Sequence, residues 1–166
     1  MSPALTHPKI YAPEALQAEV RGWQAAGLRV VFTNGCYDIL HAGHVDLLTR
    51  ARALGDRLVL ALNTDASVRR LGKGADRPIQ TYPVRAFVAA HLASVDAVTY
   101  FDEDTPLELV RALTPDVLVK GGDWPVERIV GADIVQMRGG AVYSLPLLEG
   151  FSTTSLVEKI RPARDV

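Results

Sequence analysis

Apolar residues along the chain form five short runs that are rich in β-branched side chains and bounded by turn residues. These runs predict buried strands over residues 28–33, 57–63, 97–101, 117–120 and 141–145. Segments with apolar residues at helical spacing lie at residues 13–26, 43–53 and 82–93. A further helix is predicted to open at Thr105, with Thr105 as its cap and Pro106 as its first residue.

The alternation of strands with helices predicts the fold class. We expect one Rossmann-like α/β domain over residues 1–166, with its core at about 9–160. The sheet should be doubly wound and mainly parallel, with right-handed crossovers and helices on both faces. Ligands of such sheets bind beyond the carboxyl ends of the strands. Functional residues are therefore expected directly after Thr33, Asn63, Lys120 and Leu145.

Composition and charge narrow the class of protein further. The 166 residues carry 18 basic and 19 acidic side chains, a net charge of −1, so we expect no nucleic-acid or membrane partner. Cys36 is the single cysteine, which excludes an internal disulfide. No signal peptide is recognisable, and no run approaches the roughly 20 apolar residues of a membrane span. These features predict a cytoplasmic protein.

The segment after the first predicted strand carries the strongest candidate chemistry. Asn34 and Gly35 lead through a turn into a helix, so backbone N–H groups there are available to phosphate oxygens. His41 and His44 are three residues apart and share one helix face. They could ligate a metal, pack as ordinary histidines, or donate hydrogen bonds to phosphates during phosphoryl transfer. The context favours phosphate, because Cys36 and two histidines make a poor zinc site.

The string His41-Ala42-Gly43-His44 resembles the H-x-G-H signature of the cytidylyltransferase-like nucleotidyltransferases. Ser152-Thr153-Thr154, after Gly150 and Phe151, is similar to the second motif of that family. Residues 32–44, 63–68, 77–78, 102–106, 115–123 and 149–154 resemble one branch in particular, the adenylyltransferase domain of ADP-heptose synthesis. The likeness extends over residues 9–160. Leu147 and Leu148 replace an arginine and a threonine of related cytidylyltransferases, and Val157 replaces a frequent basic residue.

The resemblance implies a role for each matching residue. The residues implied in catalysis are His41, His44 and Lys73, the last in a basic loop over residues 69–81 that would close as a lid. Those implied in nucleotide binding are Thr33, Asn34, Gly35, Cys36, Lys120, Gly121, Asp123, Gly150, Phe151, Ser152, Thr153 and Thr154. Those implied in binding the sugar phosphate are Asp38, Asn63, Asp65, Arg77 and Arg85.

Structural alternatives remain open for several of these residues. Asp65 could be the N-cap of the following helix, and Arg85 could form a structural salt bridge. The basic loop could be a solvated run of charge, and Cys36 a packing residue. Ser152 to Thr154 could cap a helix and bind phosphate at the same time.

The resemblance implies that AMP passes from ATP to a heptose 1-phosphate, giving ADP-heptose and pyrophosphate without a covalent enzyme intermediate. Magnesium would arrive with the triphosphate rather than in a protein cage. The phosphorylated sugar would come from a sugar kinase on another chain, and exposed apolar surface could form a homodimer. The rival hypotheses are cytidylyl or guanylyl transfer to another sugar or alditol phosphate, and a non-catalytic adenylate sensor.

Overall fold

The computed structural model describes residues 5–72, 74 and 76–160. Lys73, predicted to be catalytic, lies outside the described residues. The strands are β1 (Val30–Gly35), β2 (Arg57–Asn63), β3 (Ala97–Phe101), β4 (Val117–Gly121) and β5 (Ala141–Leu145). The helices are α1 (Pro13–Ala25), α2 (Ala42–Arg52), α3 (Asp65–Arg70), α4 (Tyr82–Ala90), α5 (Leu107–Leu113), α6 (Ala132–Met137) and α7 (Thr153–Ile160). A short 3₁₀ helix covers Val126–Arg128.

The strands form one parallel sheet in the order β3-β2-β1-β4-β5. All five predicted strands are present, which confirms the α/β sheet with Rossmann-like topology. β1 begins two residues later than predicted and continues through Asn34 and Gly35, so this pair belongs to the strand end. Across the described part of the chain, no helix combines the length and apolar character that a membrane span requires.

Each face of the sheet carries its own apolar core because successive residues of a strand point to opposite sides. Val30 and Phe32 of β1 pack on one face with helices α1, α5 and α6. Val31 points to the other face, where α2 and α4 cover the sheet. The predicted helices on both faces are therefore confirmed, and the polar ends of the strands are left at the sheet edge.

Three local predictions need correction. The α5 helix begins at Leu107, and Pro106 flanks it without a side-chain cap, so Thr105 is not the cap. Residues 69 and 70 belong to α3 rather than to a loop. The cap of α3 is Thr64, whose Oγ1 accepts the Ser67 N–H at 3.1 Å, so Asp65 is not the N-cap.

Candidate active site

The candidate site lies where the strand order of the sheet switches. β2 and β4 flank β1 on opposite sides, which opens a crevice beyond the carboxyl ends of β1 and β4. Asn34 and Lys120 directly follow the paired residues Thr33 and Val119 of these two strands. A cavity of about 540 Å³ opens there. Its lining comes from the end of β1 and the loop that follows it, from the start of α2, from Arg77, from the end of β4 and from residues 147–148 and 151–154.

His41 and His44 lie together at the start of α2, and both line this cavity. Their rings stack with centroids 3.7 Å apart and an interplanar angle of 21°. The Nδ1 atom of His41 is buried and has no hydrogen-bond partner among the described residues. Because a buried polar atom without a partner is costly, this arrangement is typical of a group that meets a ligand.

Burial controls the protonation of this pair. Desolvation lowers the pKa of His41. Desolvation, and then the proximity of His41, lower the pKa of His44 to about 4. Both imidazoles are therefore neutral at pH 7 in the protein alone. The charge of an anion in the cavity would attract a proton and so act against this lowering of both pKa values.

Gly43 controls the packing above the histidine pair. A Cβ at this position would lie 3.1 Å from His41 Nδ1 and 3.1 Å from the Cβ of Phe151. The space next to Gly43 is therefore occupied by His41 and Phe151. The glycine in this motif thus lets the segment before α7 close over the start of α2.

The segment before α7 brings the second sequence motif to the same cavity. Ser152 caps the helix, because its Oγ accepts the Ser155 N–H at 3.0 Å. Phe151, Thr153 and Thr154 line the cavity beside His41. The capping role of Ser152 is thereby established, while its role toward phosphate stays a prediction.

Asp38 lines this cavity and is held by several donors. Its carboxylate is wholly buried and accepts Arg77 Nε–H at 2.6 Å. It also accepts the backbone N–H groups of Ile79 and Gln80, at 2.9 and 2.8 Å. The segment at residues 77–80, part of the predicted lid, is therefore tied to the loop between β1 and α2.

Arg85 is a buried guanidinium on α4, with 1% of its surface exposed. It donates to the carbonyl oxygens of Gln80, Cys36 and Asn63 at 2.7–3.0 Å. It also pairs with Asp65 at 2.8 Å, and the same Asp65 oxygen accepts the N–H of Tyr82. The structure therefore contains the salt bridge that was the alternative for Arg85. The same side chain also connects the residue after β1, Cys36, with the last residue of β2, Asn63.

A second cavity of about 390 Å³ adjoins the first. The two cavities share the lining residues Asn34, Gly35, Cys36 and Lys120. The second cavity is otherwise lined by Asn63, Leu71, Asp104, Thr105, Pro106, Trp124, Arg128, Ile129 and Val130.

In the described part of the chain, no cluster of His, Cys, Asp and Glu could hold a metal ion.

The structure brings most of the predicted residues to these cavities. Those in the first cavity are Asn34, Gly35, Cys36, Asp38, His41, His44, Arg77, Lys120, Gly121, Phe151, Ser152, Thr153 and Thr154. Asn63 lies in the second cavity. Those that line neither cavity are Thr33, Asp65, Arg85, Asp123 and Gly150.

Sequence reasoning missed most of the second cavity. Asp104, Thr105 and Pro106 follow β3, and the rule about carboxyl strand ends, applied to β3, would have found them. Leu147 and Leu148, noted only as departures from relatives, line the first cavity. Arg128 lies beyond the turn after β4, and no local sequence signal marks it.

The topology, the histidine pair and the motif before α7 define a class of protein. The cytidylyltransferase-like family model matches residues 32–158, and the chain belongs to this family. It is 54% identical over 152 residues to the bifunctional protein HldE of Bradyrhizobium diazoefficiens. It is 55% identical over 152 residues to the bifunctional protein HldE of Caulobacter vibrioides. Each alignment covers 92% of this chain and 31% of the relative, so the chain spans about a third of those proteins.

A solved structure gives an independent comparison of the fold. The lipopolysaccharide core biosynthesis protein from Thermoplasma volcanium superposes with a TM-score of 0.59 at 27% sequence identity. The superposition covers 74% of this chain and 98% of that protein. The fold described above is therefore shared by a protein of similar sequence.

Proposed function

We propose that the protein is a nucleotidyltransferase that transfers AMP from ATP to a heptose 1-phosphate, forming ADP-heptose and releasing pyrophosphate. The observation that carries this proposal is the convergence of His41, His44, Lys120 and the Ser152–Thr154 segment on one cavity. These groups offer imidazole, ammonium, hydroxyl and amide donors, which suit a triphosphate. The bifunctional HldE relatives and the likeness to the heptose enzymes support the choice of base and sugar.

In the proposed reaction, an oxygen of the acceptor phosphate attacks the α-phosphorus of ATP. The bond from the α-phosphorus to the bridging oxygen breaks, and its electron pair leaves with pyrophosphate. His41 and His44 donate hydrogen bonds to the phosphate oxygens on which charge builds up. Desolvation lowers the pKa of both imidazoles in the protein alone, and the negative charge of the triphosphate would favour their protonated, doubly donating form.

The first cavity also offers a surface for the nucleotide base. Leu147, Leu148 and Phe151 line it, with 57%, 42% and 47% of their surfaces exposed. Apolar side chains left this exposed at the mouth of a cavity suit an aromatic ligand. We propose that the base packs there, and that the acceptor enters from the second cavity.

Magnesium belongs to this proposal as part of the substrate. Asp38 is the carboxylate in the described lining of the first cavity, and Arg77 and two amides already occupy its oxygens. Because this carboxylate is already bonded, we propose that magnesium is held mainly by the oxygens of the triphosphate, whose charge it neutralises. We propose that the reaction takes place in the cytoplasm, after a kinase has phosphorylated the sugar.

The test is pyrophosphate release across the four nucleoside triphosphates, each paired with a panel of sugar 1-phosphates. Steady release with ATP and heptose 1-phosphate is expected, and release from no pair would refute the proposal.

His41→Ala and His44→Ala should each lower kcat roughly 10²- to 10³-fold. His91→Ala is the matched control, because His91 is an exposed histidine outside both cavities. Near-normal turnover in both variants would show that His41 and His44 have a structural role and not a catalytic one.

A further inference from the structure

The boundary between the two cavities fixes where the acceptor has to lie, if the proposed function holds. The attacking oxygen must come within about 3–3.5 Å of the α-phosphorus. The acceptor phosphate therefore lies at the shared residues Asn34, Gly35, Cys36 and Lys120. The remainder of the second cavity then surrounds whatever is attached to that phosphate. Its volume of about 390 Å³ is in the range of small-molecule sites.

Trp124 gives this cavity an aromatic wall, and the backbone fixes its position. Gly122 has a φ of 118°, and a Cβ there would lie 2.7 Å from the indole Nε1. The Trp124 N–H donates to Ser144 Oγ at 2.9 Å, and the same hydroxyl donates to the Gly122 carbonyl at 2.6 Å. Ser144 of β5 thus fixes the backbone at Trp124, and the indole lies against Gly122 in the turn after β4. Because 51% of Trp124 is exposed, it retains surface for a ligand.

Asp104 and Arg128 add opposite charges to the lining of the same cavity. Asp104 accepts Arg70 Nε–H at 2.9 Å, yet 76% of its side chain is exposed, so its carboxylate can accept further hydrogen bonds. Because it bonds to Asp104, Arg70 is a positioning residue for that carboxylate. Arg128 is the last residue of the 3₁₀ helix, and its backbone N–H donates to the Pro125 carbonyl oxygen at 2.9 Å.

We infer that Asp104, Trp124 and Arg128 select the acceptor by binding its polyhydroxylated ring. Hydroxyl groups donate to the Asp104 carboxylate and accept from the Arg128 guanidinium, and both are charge-assisted hydrogen bonds. The apolar face of the ring packs on the indole of Trp124. A three-carbon alditol phosphate offers only two free hydroxyls and has no ring face to pack on the indole. The cavity therefore discriminates in favour of a sugar phosphate.

The first experiment separates the KM of the acceptor from the KM of ATP in the full chain. Asp104→Asn, Trp124→Leu and Arg128→Gln should each raise the KM of heptose 1-phosphate roughly ten- to a hundredfold. The KM of ATP should stay at the wild-type value, since its cavity is unaltered. Arg111→Gln, an exposed arginine outside both cavities, is the control and should change neither constant. An unchanged acceptor KM in all three variants would overturn the inference.

A binding experiment does not depend on turnover. The chain has two tryptophans, so Trp23→Phe leaves Trp124 as the one fluorophore of its kind. With a non-cleavable ATP analogue bound, heptose 1-phosphate should change the Trp124 emission, and inorganic phosphate should not. Emission that no sugar phosphate alters would contradict the inference.

The two experiments also distinguish this inference from the proposed function. If a different phosphorylated acceptor supports turnover, heptose is the wrong substrate, and the three variants are measured with that acceptor. A raised KM then supports the selecting role, and an unchanged KM refutes it. A chain that turns over no acceptor of the panel, and whose Trp124 emission responds to none, contradicts both.

Discussion

Asp38 and Arg77 form an ion pair of 2.6 Å in which the carboxylate is fully buried and the guanidinium side chain is 12% exposed. The pair joins the loop before α2 to a segment 39 residues later in the chain. Two backbone amides of that segment bond to the same carboxylate. The lining of the proposed triphosphate cavity is therefore tied to residues 77–80 through Asp38.

The buried pair should be strongly coupled. A double-mutant cycle with Asp38→Asn and Arg77→Gln should give a coupling energy of about 2 kcal/mol in the free energy of unfolding. The matched control is the Glu108–Arg111 pair, which has the same 2.6 Å distance but side chains 63% and 56% exposed. Its cycle should give less than about 1 kcal/mol, because water screens it. Both cycles are measured by urea unfolding, and equal coupling energies would contradict the expectation that burial strengthens the Asp38–Arg77 pair.

Arg85 should matter for stability more than for substrate affinity. Lysine retains the positive charge, but it cannot reproduce a planar fork that reaches three carbonyl oxygens and Asp65. Arg85→Lys should therefore lower the free energy of unfolding by roughly 2 kcal/mol, which urea denaturation can measure. The KM of the acceptor should hardly change, since Arg85 lines neither cavity. A large rise in acceptor KM with normal stability would instead support the sugar-phosphate role inferred from the resemblance.

Most of the sheet was predictable from sequence because the strands β1 to β4 are largely buried on both faces. A strand such as Arg57–Asn63 must then be a continuous apolar run, and such runs are visible without any partner. The position of His41 and His44 was predictable too, because the carboxyl ends of parallel strands meet at one edge. Strand order and register were not predictable, since they depend on pairing between distant segments.

The partners of the charged residues could not be predicted. Nothing in the local sequence of Asp38 indicates whether its carboxylate faces a ligand or an arginine 39 residues away. For Arg85 the resemblance implied a sugar-phosphate role and the sequence left a structural salt bridge open; the contacts seen in the structure lie inside the protein. The second cavity was not predicted because Trp124 follows the turn after β4, Arg128 ends a 3₁₀ helix, and only the fold brings both to the same cavity as Asp104.

The low pKa of His44 should make the protein less stable in acid. Its pKa is about 4 in the folded protein, against 6.5 for an ordinary histidine, so the unfolded chain binds the proton more readily. Stability from this residue is present above pH 6.5 and is lost as the pH falls toward 4. At pH 5 the loss should be about 2 kcal/mol relative to pH 8. His44→Asn should remove this part of the pH dependence, and identical urea-unfolding profiles for the variant and wild type would contradict it.

Binding of ATP should be coupled to proton uptake. The triphosphate brings negative charge to two neutral imidazoles, and this raises their pKa values. Calorimetry of magnesium-bound ATP at pH 7 in buffers of different ionisation enthalpy should therefore report uptake of a fraction of a proton or more. His44→Asn should reduce the uptake, whereas the control His91→Asn should not. Binding without any proton uptake would show that the histidines act on the phosphates as neutral donors.

Alanine substitutions at two helical glycines should distinguish the effect of an added methyl group on turnover from its effect on stability. Gly43→Ala places a Cβ 3.1 Å from both His41 and Phe151, so these side chains must move by a few tenths of an ångström. A shift of the proposed phosphate-binding pair should lower kcat roughly tenfold. Gly22→Ala in α1 is the control, because a Cβ there meets nothing within 4 Å.

The control substitution should raise the free energy of unfolding by about 0.5–1 kcal/mol, as expected for alanine over glycine in a helix, and leave kcat unchanged. In Gly43→Ala the same gain is offset by the crowding against His41 and Phe151, so its stability should stay near that of the wild type. The two variants thus differ in turnover far more than in urea unfolding. Equal kcat values in the two variants would mean that the position of the His41 ring does not limit the reaction.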